Sequence, residues 1–421
     1  SLSLMSLKLR SKNDWGRLDM SYETYRVTDL IDEIAMGPFG SNIKVSCFVD
    51  SGVPVLNGSN LEGFSLSEKT FRYVTRKKAD SLNKANAHRG DIVITHRGTL
   101  GQIVFIPQDS KYDRYVISQS QFRVRCNDKV LPEYLVYYFH TPIGQHKLLS
   151  NASQVGVPAL ARPSSTFQQI EVVLPELSIQ KCVVEIISTI QKKIVNNQEL
   201  NDNLEQQAQS YFQELFVDNA DPEWAIGTIS DLGTVVGGST PSKAKPEYYT
   251  ESGIAWITPK DLSINKSKFV SHGENDITEL GLKNSSAAIM PEGTVLFSSR
   301  APIGYIAIAA GEVTTNQGFK SVVPKPEIGT PFVYFFLKNT LPVIEGMASG
   351  STFKEVSGST MKNVPAVIPD AETLAKFSDF CAPIFAQQRI LEEQNQSLAT
   401  LRDNLLPKLM SGEIDVSAVQ L

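Results

Sequence analysis

Two stretches of the chain repeat apolar side chains at the three- and four-residue spacing of a single helix face. After Pro175 they fall at Val183, Ile187, Ile190, Ile194, Leu204, Ala208, Tyr211 and Leu215, with Asn197 and Asn201 filling two positions of the same series. The series returns 194 residues later as Phe377, Cys381, Ile384, Gln388, Leu391, Asn395, Leu398, Arg402, Leu405 and Leu409. A seven-residue period held over several heptads predicts a coiled-coil seam about 50 Å long rather than a surface helix on its own domain. Pro407 has no N–H to give the ladder, so the second helix should kink or end near Leu406, with Gly412 as its stop.

The remaining text has a different rhythm. Short β-rich runs at 91–94, 103–106, 295–297 and 305–309 are separated by Gly, Pro and Ser turns, and 131–139 and 331–337 read as short helices. These runs are written twice. Ser51-Gly-Val-Pro-Val-Leu-Asn-Gly-Ser-Asn-Leu61 aligns with Ser252-Gly-Ile-Ala-Trp-Ile-Thr-Pro-Lys-Asp-Leu262, and Gly90–Ile103 aligns with Gly293–Ile306. Ser118-Gln-Ser-Gln-Phe122 then matches Thr315-Asn-Gln-Gly-Phe319, and Val172–Pro175 matches Ala366–Pro369. Four matches in one order, with a slowly drifting offset near 200, imply a duplicated domain rather than a solenoid.

The expected fold is therefore α/β (α+β): two duplicated globular domains, each followed by a long helix, with the helices paired antiparallel about a pseudo-two-fold axis. The expected divisions are an N-terminal segment 1–18, a first domain 19–175, a helix 176–216 and a linker 217–223. A second domain 224–369, a helix 370–410 and a tail 411–421 complete the chain. Ser1–Leu4 before Met5 reads as a cloning remnant. Antiparallel pairing would bring the equivalent seam residues Asn201 and Asn395 together, where a polar pair fixes register.

Composition narrows the function. The 421 residues carry 40 Lys+Arg against 45 Asp+Glu, a net charge of −5, which by itself gives no hint of nucleic acid. By segment the acidity lies elsewhere: residues 176–216 carry −3, 217–223 carry −3 and 370–421 carry −4, whereas 1–18 carry +3, 19–175 carry +2 and 224–369 are neutral. The globular parts thus have room for basic faces. Four dispersed cysteines without a CxxC pair argue against a disulfide framework or zinc cluster and for a reducing, cytoplasmic setting. No apolar run approaches the length of a membrane span.

Catalytic constellations are missing from the text. It holds no phosphate-binding GxxxxGK[ST] and no HExxH among its five histidines. With no Pro-Pro dipeptide, it also lacks the Asn/Asp-Pro-Pro-aromatic motif of adenine methyltransferases. What remains is polar and basic side chains in loops, the inventory for phosphate and groove contacts. Lys44, Arg72, Arg76, Lys77 and Lys78 supply it in the first copy, and Lys243, Lys245, Lys260, Lys266 and Lys268 in the second. Arg97 and Arg300 share one repeat position, so neither distinguishes two sequences; a phosphate clamp and a structural pair are both open. Positions that differ beside that shared frame are candidates for base readout: His96 against Ser299, Gln119 against Asn316, Ser120 against Gln317, and Gln121 against Gly318.

These residues resemble the DNA-specificity subunit of type I restriction–modification enzymes over about residues 19–416. The likeness rests on the two domain–helix units, on Arg97-Gly-Thr-Leu-Gly101 with Arg300-Ala-Pro-Ile-Gly304, and on Thr315-Asn-Gln-Gly-Phe319. Its most specific piece is the ending Leu405-Leu-Pro-Lys-Leu-Met-Ser-Gly-Glu-Ile-Asp-Val416. Ser118-Gln-Ser-Gln121 departs from it by lacking the glycine found at Gly318. The resemblance implies a non-catalytic adaptor whose two target-recognition domains read a split, asymmetric duplex DNA site. It implies helices that space the domains and dock methyltransferase (M) subunits, and a restriction/translocase (R) subunit that completes the enzyme. No cofactor is expected on this chain; S-adenosylmethionine, ATP and Mg would sit on the partners. A fused DNA adenine methyltransferase and a protein-interaction scaffold without DNA are the competing classes, distinguished by S-adenosylmethionine binding and by salt-dependent DNA binding.

Overall fold

The computed structural model describes residues 22–153, 156–350 and 354–416; the N-terminal segment 1–18 with its Ser1–Leu4, and the end of the tail, lie outside them. The chain divides into two compact units, one formed by residues up to Lys193 together with those from Leu398, the other by Ile194–Ser397.

The same sheets are built in both. In the first unit an antiparallel sheet runs Ile31–Met36, Gln121–Cys126, Ile92–Thr95, Ile103–Phe105. The second unit repeats it as Gly233–Gly237, Lys320–Pro324, Val295–Ser299, Ile303–Ala309, and adds Phe269–Val270 in parallel. Beside it, Val53–Val55 lies parallel to Arg114–Val116 in one unit and Ile254–Ile257 parallel to Thr314–Thr315 in the other. A third pairing joins Glu23–Arg26 to Glu171–Leu174 and Ala225–Thr228 to Pro365–Ile368. The duplication seen in the sequence is thus matched in the central strands of both units.

Alternation explains the cores. Ile92 and Ile94 pack against Phe122 and Val124 of the neighbouring strand and against Tyr134 and Phe139 of the helix Pro132–His140, while Val93 faces the second layer with Val104 and Tyr115. In the second unit Val295 and Phe297 meet Phe332, Phe335 and Leu337, and Leu296 faces Ala307 and Phe319. The helix expected to be short there runs from Thr330 to Gly346 with Pro342 inside it. The first unit also carries an ion network with no counterpart at the same strand positions among the described residues of the second. Asp91, 1% exposed, accepts from Arg123 at 3.4 Å and Arg125 at 2.9 Å, and Arg123 reaches Glu33 at 2.8 Å. Thr294, buried, holds the repeat position of Asp91.

The two long helices span Leu177–Gln213 and Ala371–Met410. Within the second unit Asn197 meets Asn395, Glu205 meets Gln388, and the Tyr211 ring lies 4.5 Å from that of Phe380, so numbers rise along one helix as they fall along the other. Within the first unit Arg402 donates to Gln191 at 2.9 Å, and Leu406 and Leu409 join Val183 and Ile187 in one core. The pairing is antiparallel in each. Val183, Ile187, Ile194, Phe377, Ile384 and Leu391 are buried in the seam; Ile190, Leu204, Leu398 and Leu405 are half-buried at its margin.

Two expectations are corrected. Asn395 pairs with Asn197, donor to acceptor 2.9 Å, and not with Asn201, which lies one turn away and meets Glu392 at 3.5 Å. Equivalence by repeat position does not set the antiparallel offset; packing does. Nor does Pro407 end the second helix, which continues to Met410 before Gly412 turns left-handed at φ 68°. Leu406, Leu409 and Met410 are all buried in the first unit's core, and that burial offsets the hydrogen bond Pro407 removes.

Candidate nucleic-acid interface

In each unit the strand ends converge on one loop junction. In the first, Ile31–Met36 delivers the turn Gly37–Gly40, whose Gly37 N–H donates to the Gln121 carbonyl at 2.8 Å. A methyl group at Gly37 would lie 1.8 Å from the Ser118 carbonyl oxygen, so glycine is required for this approach. The turn 118–121 closes on itself, Ser118 N–H donating to the Gln121 side-chain oxygen at 2.9 Å. His96 binds the same turn twice: its N–H donates to the Ser120 carbonyl at 2.9 Å, and its Nε2 lies 3.2 Å from the Gln119 carbonyl. Burial lowers the His96 pKa below its ordinary value, outweighing the pull of that carbonyl. Gln102 ties in a further loop by donating to the Gly58 carbonyl at 3.0 Å.

The second unit repeats the frame with different side chains. Ser299 N–H donates to the Gly318 carbonyl at 2.7 Å, as His96 does to Ser120, so the sequence pairing of this turn is corrected by one residue: Ser120 stands opposite Gly318 and Gln119 opposite Gln317. A methyl group at Gly238 would lie 1.9 Å from the Asn316 carbonyl oxygen. Asn316 accepts from the Gly318 N–H at 2.8 Å, and Gln317 bonds the Thr240 hydroxyl. Arg300 lies 3.5 Å from Glu355, which also faces Lys320 at 3.9 Å.

The junctions therefore gather His96, Arg97, Gln119, Ser120 and Gln121 in one unit and Arg300, Asn316 and Gln317 in the other. Gln119, Arg97 and Gln317 are exposed; Gln121 is buried, its carboxamide committed to its own turn, and so is unable to reach a base. The basic clusters lie elsewhere in the fold. Lys44 is exposed on the loop that follows Gly40–Asn42. Arg72 stacks over Phe48 at 5.4 Å, and Arg76, Lys77 and Lys78 occupy the exposed or half-buried first turn of Arg76–Ser81. Lys243 is exposed, Lys245 donates to the Tyr248 hydroxyl at 3.0 Å, Lys266 lies 4.9 Å over the Tyr305 ring, and Lys260 is neutralised by Glu274 at 2.5 Å.

Lys268 is corrected outright. It is 6% exposed, ion-paired to Glu205, bonded to Gln388 at 2.6 Å and seated 4.0 Å from the Phe385 ring centre. It belongs to the packing of the second unit on its long helices. Sequence reading also missed Glu355, whose pairing with Arg300 and Lys320 spans 55 and 35 residues and leaves no local mark.

The family model described as type I restriction modification DNA specificity domain matches the chain twice, over residues 22–206 and 222–401. The type I restriction enzyme MjaIX specificity subunit of Methanocaldococcus jannaschii is 39% identical over 191 residues, covering 43% of this chain and 44% of its own length. The HindI specificity subunit of Haemophilus influenzae is 24% identical over 412 residues, covering 77% of this chain and 87% of its own. Among solved structures, the type I restriction–modification S subunit from M. genitalium superposes with a TM-score of 0.58 at 16% identity, covering 93% of this chain and 97% of that one, a likeness of fold.

Proposed function

Because the chain belongs to the type I restriction–modification DNA-specificity family, we propose that it is the subunit that reads a bipartite, asymmetric duplex DNA target, residues 19–175 taking one part and 224–369 the other. As a specificity subunit it is the non-catalytic component. It directs methyltransferase (M) subunits, and a restriction/translocase (R) subunit where one is present, to the site, and S-adenosylmethionine, ATP and Mg belong to those partners. The observation that carries this reading is the loop junction, one backbone frame built twice with different residues set into it, His96 and Ser120 in one unit against Ser299 and Gly318 in the other. A shared frame sets approach to the duplex; Gln119 and Gln317, at equivalent frame positions, each present a carboxamide to base edges, and what differs around them is His96 in one unit against Ser299 in the other.

Co-expression with the methyltransferase gene of the same operon, followed by mapping of methylated adenines, tests it. Two short motifs separated by a fixed gap are expected. Gln119→Ala should relax one motif and Gln317→Ala the other. A single continuous motif, or both motifs changing with either substitution, would refute the division of labour. Arg97→Ala and Arg300→Ala should weaken binding without altering either motif, each reducing the salt slope of binding by about one. A changed motif would move these arginines into base readout.

A further inference from the structure

In the first unit's junction one side chain does nothing for the fold. Phe39 is 83% exposed, the most exposed phenylalanine, tyrosine or tryptophan ring among the described residues. A single exposed apolar residue is ordinary on a mobile loop, but this loop is fixed on both sides of the ring. Gly37 is bonded to Gln121, Pro38 restricts the approach, and the Phe39 carbonyl accepts from the Asn42 N–H at 2.8 Å. Gly40 is packed so closely on the Gln119 carboxamide that a methyl group there would lie 2.2 Å from its oxygen. The ring is thus held in water beside the polar residues assigned above to the duplex, in a loop that continues to the exposed Lys44. The corresponding turn of the second unit, Gly238–Pro241, presents no ring: Thr240 bonds Gln317, and Pro241 is buried.

We infer that Phe39 is a wedge that enters the base stack of the duplex at one step of the part read by the first domain. The inference rests on the DNA-reading function proposed above. Apolar side chains inserted between base pairs unstack them, and a loop whose backbone is already held by its hydrogen bonds needs no ordering to present the ring. Pyrimidine–purine steps unstack most readily, so the wedge selects such a step without a hydrogen bond to either base. It also makes the two parts of the target unequal in kind: one is read with local distortion, the other without.

The test uses the full chain assembled with its methyltransferase subunits and duplexes carrying 2-aminopurine at successive positions other than the modified adenines. With the wild-type complex, fluorescence should rise at one step in one half of the target only. Phe39→Ala should abolish that rise and weaken binding by about tenfold, in line with the loss of one base–aromatic stack, while Phe39→Trp should preserve both. A rise that persists in Phe39→Ala, equal rises in both halves, or unchanged affinity would overturn the wedge. So would weakened assembly with methyltransferase subunits at unaltered fluorescence, which would make Phe39 a protein contact. Failure of the wild-type complex to bind any methylated target would instead defeat the functional reading beneath it.

Discussion

Glu205→Ala will destabilise the chain by about 3–5 kcal/mol in urea unfolding, the usual cost of removing one partner from a buried ion pair. Glu205 faces Lys268, with which it is paired, and Lys338 at 2.5 Å; Lys268 is 5% exposed at its side chain. Alanine would leave that ammonium group with Gln388, three aromatic faces and, as counter-charge, only the Glu392 carboxylate, which it does not touch. Exchanging both partners, Glu205→Leu with Lys268→Met, should recover most of the loss, because two apolar side chains need no compensation. The site also has a pH signature. Burial raises the Glu205 carboxyl, but Lys268 and Lys338 outweigh it and hold its pKa below the usual carboxylate range. A carboxylate depressed in the folded state contributes stability that is fully present above its unfolded pKa and lost as pH falls through the folded one. The wild type should therefore lose stability on acidification more steeply than Glu205→Gln. Parallel acid profiles would show that the pair contributes no ionic stabilisation.

Gly37→Ala and Gly238→Ala should each cost about 3 kcal/mol or more, because the added methyl meets a backbone carbonyl at 1.8 and 1.9 Å and neither side can yield without breaking the turn. Gly63→Ala is the comparison. Gly63 has φ +89° and open space around it, so alanine there bears only the left-handed backbone, about 1–2 kcal/mol. Thermal unfolding ranks the three; methylome mapping then separates the first two, since each should erase recognition of a different half of the target. Near-neutral behaviour of Gly37→Ala would mean that the junction of Gly37 with Ser118 is not closed in solution.

How much of this was legible in the sequence follows from the range of each interaction. Repetition is a one-dimensional signal, and the matches Gly90–Ile103 with Gly293–Ile306 and Ser118–Phe122 with Thr315–Phe319 led directly to the strands and turns that make the junction. The heptad spacing marked Val183, Ile187 and Ile194 as seam residues for the same reason. The antiparallel offset was not legible, because it depends on which side chains interlock across some 190 residues, and Asn197 rather than Asn201 meets Asn395 as a result. Lys268 failed for a related cause: a lysine in a loop-like run is indistinguishable from a surface one until Glu205, 63 positions earlier, is brought beside it. Gln121 was misjudged because a turn that closes on its own carboxamide looks, as text, like a side chain with donors to spare.

The ion network of Asp91, Arg123, Arg125 and Glu33 has a bearing on how such a gene can change by recombination. A crossover within a long helix transfers the whole set, and the recipient inherits its charges balanced. A crossover between codons 91 and 123, joined to a second-copy sequence, would put Asp91 beside Ser321 and Val323, or Arg123 beside Thr294, with a charge inside the sheet lacking its full set of partners. Exchange is then tolerated at the helices and penalised within the sheets. New specificities in this architecture should arise by trading entire reading domains, and each copy's interior should drift as a block under its own history.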